Sequence, residues 1–67
     1  MVTSIGRNIK HFRNQKNLTQ KQLAEKAGIT LFTLTKIEGG TTPDPRIDTL
    51  RRIADVLEVK VDDLIQK

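Results

Sequence analysis

Thr19-Gln20-Lys21-Gln22-Leu23-Ala24-Glu25-Lys26-Ala27-Gly28-Ile29-Thr30-Leu31-Phe32-Thr33-Leu34-Thr35-Lys36-Ile37-Glu38 reads as two short helices hinged at one glycine. Thr19 and Gln22 have the spacing of a capping box, in which the threonine hydroxyl and the glutamine amide each satisfy a backbone N–H at the helix start. Gly28 closes that helix, because glycine enters the left-handed conformation at the least steric cost. Thr30 is the N-cap of the second. Leu23, Ala24 and Ala27 fall on one face of the first helix, and Leu34 and Ile37 on one face of the second, so the pair can dock on a common core. Leu31, Phe32, Thr33, Thr35 and Lys36 are left facing outward.

Working outward, the chain reads as five helices with no strands, repeats or low-complexity segments. Ser4 can cap a helix running to about Lys16, with Ile5, Ile9 and Phe12 at helical spacing and Asn17 as a left-handed stop. Gly39 to Pro45 is a breaker-rich loop. Ile47, Leu50, Ile53, Ala54 and Leu57 mark a fourth helix. Asp44 followed by Pro45 is its best local N-cap. A last short helix, from Val61 to about Gln66, anchors through Val59, Val61 and Leu64. The carboxylates Asp62 and Asp63 then stand near its N-terminus, where the helix dipole favours negative charge.

Sixty-seven residues make one domain, residues 1–67, with a core at the small end of what folds unaided. With no cysteine, neither disulfides nor a thiolate metal site can staple it, so packing or a partner chain must. The apolar runs are far too short for a membrane span, and Met1-Val2-Thr3-Ser4 lacks the pattern of a secretory signal. A cytoplasmic location and no membrane partner are expected. The net charge of +4 is unevenly spread: residues 1–18 hold Arg7, Lys10, Arg13 and Lys16 with no acid, whereas residues 54–66 hold Asp55, Glu58, Asp62 and Asp63 against Lys60 alone. Such polarity suits a molecule that sets one side against a polyanion, although a basic surface alone is also common in small solvated domains.

The stretch 19–38 resembles the helix-turn-helix of phage repressors and Cro, the XRE family, and the likeness continues on both sides. Upstream, Ile9-Lys10-His11-Phe12-Arg13 and Leu18-Thr19-Gln20 are similar to the family's first helix and the start of its second. Downstream, Ile37-Glu38-Gly39-Gly40, Pro45 and Leu50-Arg51-Arg52-Ile53-Ala54-Asp55-Val56-Leu57-Glu58-Val59 resemble its fourth helix and tail. The likeness implies an all-α, five-helix, lambda-repressor-like DNA-binding domain. It also implies a homodimeric transcriptional regulator, such as a repressor, on a pseudo-palindromic site, with half-sites about 34 Å apart. In the family register the fourth helix is capped at Arg46, in conflict with the Asp44 cap.

Each conspicuous residue has a bland reading beside the functional one. Thr19 and Gln20 lie at a helix N-terminus, where free N–H groups favour a phosphate; otherwise Gln20 is a surface glutamine. Lys10 and Arg7 are phosphate candidates with long, unpartnered side chains, and the resemblance makes Arg46 another. For Arg13 and Glu38 it implies a structural ion pair, the alternative being a direct phosphate contact by Arg13.

Base readout is assigned to Leu31, Phe32, Thr33, Thr35 and Lys36. Glutamine, asparagine, serine and arginine often open this helix in known readers, but Leu31 and Phe32 offer only apolar contact, for example to thymine methyl groups. Lys36 can donate to guanine, giving an expected site of T-rich steps flanking a guanine. Phe32 could alternatively fill the core beside Phe12, or bind a protein partner together with Leu31. Dimer candidates are Val56, Val61 and Ile65, with Glu58 beside them.

No catalytic site is expected. The chain has one serine, one histidine, no cysteine and no tyrosine, and Ser4 has no adjacent base. His11 has no converging partners, so neither metal nor cofactor is expected. A protein-interaction module, an antitoxin or a restriction-modification controller is the alternative to a plain regulator.

Overall fold

A computed structural model of the chain describes residues 4–41 and 45–65. The elements are α1 (Ser4–Gln15), α2 (Gln20–Ala27), α3 (Leu31–Glu38), α4 (Ile47–Leu57) and α5 (Val61–Ile65). No strand occurs among the described residues, as the five-helix reading expects.

Most boundaries follow from local chemistry. At the start of α2, Thr19 Oγ1 accepts from Gln22 N–H at 3.0 Å and Gln22 Oε1 accepts from Thr19 N–H at 2.9 Å, a complete capping box. Gly28 ends it at φ 71°, in the left-handed region. Asn17 stops α1 at φ 56°, a conformation that asparagine tolerates better than other residues with a side chain. The expected Ser4 capping side chain and the Gln66 end of α5 fall outside the described residues. At α5, Asp62 and Asp63 do stand in the first turn, and an Asp63 carboxylate oxygen accepts from Lys60 N–H at 3.0 Å.

The fourth helix corrects the local reading. It begins at Ile47 with Arg46 as the cap residue, and no side chain accepts from its first turn. Asp44 lies outside the described residues, and Pro45 is buried short of the helix instead of opening it. Ile47 is 60% exposed, so it is not part of the apolar face formed by Leu50, Ile53, Ala54 and Leu57. Tertiary docking sets this register, with buried Pro45 on one side and Leu50 on the other.

The core is a single cluster in which Ile9, Leu23, Leu34, Ile53, Leu57 and Leu64 are buried, contributed by all five helices. Each such side chain stabilises the fold by roughly 1.5–3 kcal/mol through removal of apolar surface from water. α1 packs against α3 and α5, and α2 against α3 and α4. The third helix is therefore held from behind by α1 and α2, and its other side remains in solvent.

Candidate nucleic-acid interface

Everything that distinguishes α3 from an ordinary packed helix is on its outer side. Thr30 opens it: its Oγ1 accepts from Thr33 N–H at 3.1 Å and its hydroxyl donates to Thr33 Oγ1 at 2.8 Å. The cap is worth about 1 kcal/mol and draws Thr33 into a half-buried position. Leu34 and Ile37 point into the core, leaving Leu31, Phe32, Thr35 and Lys36 exposed. Phe32 is 71% exposed, which rules out the core-filling reading; the ring beside Phe12 is that of His11, at 5.3 Å. Lys36 Nζ instead lies 5.2 Å from the Phe32 ring centroid. The ammonium and the aromatic face thus form one amphipathic unit, a cation–π contact between residues four apart on one helix face.

Behind α3, Glu38 is the acceptor of a three-element hub. Its Oε2 accepts from Arg13 Nε at 2.8 Å and its Oε1 from Arg13 Nη2 at 3.1 Å, the bidentate geometry expected for this pair. Oε1 also accepts from Gln20 Nε2 at 3.0 Å, and Arg13 Nη1 donates to Leu18 O at 2.8 Å. The side chains of Arg13 and Glu38 are only 11% and 4% exposed. Arg13 is thus spent on the scaffold. Gln20 was expected to face outward; the hub uses one of its two amide hydrogens and leaves the other for an external acceptor. Thr19 is likewise committed as an acceptor, with its hydroxyl hydrogen left to donate.

Phe32, Thr33 and Lys36 of α3 line an open groove with Pro45, Arg46 and Thr49 at the start of α4. Arg46 has no acceptor to offer the first turn of α4, so the N–H groups there lack a side-chain cap, and the helix presents its positive dipole end. With Arg46 and Lys36 beside it, the groove favours an anion along one wall and an apolar group against Phe32. Thr49 was not singled out from the sequence, because its place depends on the α4 register. Lys10 and Arg7 are exposed along α1.

The dimer candidates are less uniform. Ile65 is 47% exposed, whereas Val56 and Val61 are partly buried against the core. Glu58, in the left-handed conformation at φ 59°, pairs with Lys16, which ties the end of α4 to the end of α1. Lys16 holds the Glu58 carboxyl below its usual range, by hydrogen bonding and by charge. Asn8 Nδ2 donates to Leu64 O at 2.8 Å and joins α1 to α5. Among the described residues, no group of three or more histidine, cysteine or acidic side chains could hold a metal ion, and no helix is long and apolar enough to cross a membrane.

Two capped helices meeting at a left-handed glycine, the second exposed on the face its neighbours leave free, define a helix-turn-helix domain. The chain belongs to the helix-turn-helix family of phage-repressor and Cro type, whose family model matches residues 9–64. The HTH-type transcriptional regulator SinR of Bacillus subtilis is 36% identical over 63 residues, which cover 94% of this chain and 57% of SinR. The chain therefore spans little more than half the length of that relative. Among solved structures, SinR in complex with DNA superposes with a TM-score of 0.90 at 37% identity, covering 92% of this chain and 98% of that one. The SinR–SinI protein complex gives 0.92 at 36% identity, covering 94% and 61%. An iron(II)-bound HppE with substrate also matches, at 0.84 and 27%, but only across 37% of its chain, so the fold occurs inside larger proteins of other activity.

Proposed function

We propose that this chain is a single helix-turn-helix domain that binds double-stranded DNA sequence-specifically, as a homodimeric cytoplasmic transcriptional regulator on a pseudo-palindromic operator. The observation that carries the reading is α3 itself. It is held from behind by the Glu38 hub, yet it presents Leu31, Phe32, Thr35 and Lys36 to solvent, with Thr33 half-buried beside them, in a helix of the width that the major groove admits. SinR, similar over nearly the whole chain, forms a complex with DNA.

Base edges would be read by those five residues, with Leu31 and Phe32 on thymine methyl groups and Lys36 on guanine. Thr19, Gln20, Lys10 and Arg46 would bind phosphate and set the register without carrying sequence information. Dimerisation through Ile65, Val56 and Val61 would place two copies of α3 in successive major grooves. Sedimentation with and without a selected operator tests the assembly. A two-to-one complex with palindromic duplex is expected, and Ile65→Asp should leave one-to-one binding; a monomer that binds a single asymmetric site would refute it.

A second reading is favoured by the exposure of Leu31 at 46% and Phe32 at 71%, and by the SinR–SinI complex among the similar structures. In it the same apolar pair seats a protein partner, as an antitoxin or controller protein would. Lys36→Ala separates the two, since it should weaken DNA binding and leave partner binding nearly intact.

A further inference from the structure

Gly6, the third residue of α1, is buried with its backbone pressed against the end of α3. A Cβ placed there would lie 2.5 Å from the Ile37 carbonyl oxygen, 2.8 Å from that of Glu38 and 3.1 Å from the Glu38 carbonyl carbon. All three are backbone atoms of the last turn of the recognition helix, so no rotamer change relieves the clash. The two helices would have to separate by roughly 1 Å to restore ordinary van der Waals distance.

Gly6 and Arg13 are two helical turns apart, so they lie on the same side of α1, about 10 Å from one another along its axis. Arg13 grips the Glu38 carboxylate, and Gly6 lets the backbone of the same residue rest directly on α1. Both contacts hold the last turn of α3 against α1, and with the packing of α2 against α3 they set how far that end of the helix stands from the scaffold. Pushing that last turn away from α1 would tilt α3 about its contacts with α2, carrying Leu31 to Lys36 with it.

We infer that Gly6 is a positioning residue for base readout: its missing side chain sets the angle at which α3 enters the groove. The inference rests on the DNA-reading function proposed above. Base contacts demand placement within about 0.5 Å, whereas phosphate contacts through long side chains do not. Gly6→Ala should therefore erode discrimination between sites and spare generic affinity.

The test compares Gly6→Ala with Leu64→Ala, which opens the core under α5, away from α3. Affinity for a selected duplex and for a scrambled one is measured below the melting range of both variants, with trimethylamine N-oxide added if either is partly unfolded. Gly6→Ala is expected to lower the specific-to-nonspecific ratio about tenfold or more, and Leu64→Ala to leave it near that of the unsubstituted chain. An unchanged ratio in Gly6→Ala, or an equal loss in Leu64→Ala, overturns the inference; so does a Gly6→Ala chain that stays unfolded in the osmolyte.

Amide chemical shifts provide a readout without DNA. Gly6→Ala should move the resonances of Leu31 to Glu38 more than those of α4, and the reverse pattern sinks the inference. If the unsubstituted chain selects no site at all, the DNA reading fails, and the shifts still decide whether Gly6 sets the pose of α3.

Discussion

Removing the Glu38 carboxylate should cost more than any surface substitution on this molecule. It accepts three hydrogen bonds from Arg13 and Gln20, and both charged partners are nearly enclosed, at 4% and 11% side-chain exposure. Glu38→Ala would strand the guanidinium of Arg13 without its counter-charge, a change that costs about 3–5 kcal/mol in buried pairs. A domain of this length has a total stability of roughly 3–10 kcal/mol at the usual 0.05–0.15 kcal/mol per residue. The variant should therefore melt at least about 12 °C lower, at 4 °C or more per kcal/mol, or fail to fold. Urea unfolding followed by circular dichroism measures the loss. The double replacement Arg13→Met with Glu38→Met should recover most of it, because an apolar pair of similar size carries no desolvated charge. A single substitution that costs under about 1 kcal/mol, or a double variant whose loss equals the sum of the two singles, would show that the hub does not hold α3.

Phe32→Ala should change stability by no more than about 1 kcal/mol, since it removes only a 71% exposed ring and its contact with Lys36. The same variant should weaken binding to a selected duplex about tenfold in a fluorescence-anisotropy titration, roughly the effect of losing one good base contact. The Lys16–Glu58 pair gives a pH dependence of defined sign. The Glu58 carboxyl is held below its ordinary value of 4.5, so its contribution is present above that value and is lost as pH falls through the lower folded-state value. Thermal melts across that range should show Glu58→Gln less stable than the unsubstituted chain near neutrality and converging with it in acid. A constant gap at every pH would assign the effect to the left-handed backbone at Glu58 instead.

What could be read without coordinates was whatever depended on near neighbours in the chain. Thr19 with Gln22, Gly28, and Thr30 carry their own hydrogen-bonding or steric logic within four residues, and each stands as read. The start of α4 does not, because Asp44-Pro45 is a sound local cap that loses to a register fixed by burial of Pro45 and Leu50. Ile47 kept helical spacing with the core positions, yet the first turn of α4 projects past the core and leaves it in water. The resemblance supplied the Arg13–Glu38 pair and the cap at Arg46, both of which depend on packing between elements. Lys36 lies four residues after Phe32, a spacing that brings the two side chains together on a helix, so that contact was open to reading. Gln20 joining the Arg13–Glu38 pair and Gly6 meeting the carbonyls of Ile37 and Glu38 were not legible. Each depends on a distance between side chains or helices that no periodicity encodes.

Whether α3 reads base sequence is decided by selection from random duplex DNA, with the enriched site then titrated over a salt series. A base-reading α3 should select a two-fold symmetric motif with half-sites about one helical turn apart, containing T-rich steps beside a guanine, and bind it with an affinity that falls steeply with salt. Weak binding with the same salt dependence but no enriched motif would contradict it, leaving a generic basic surface and an apolar α3 face turned toward a protein.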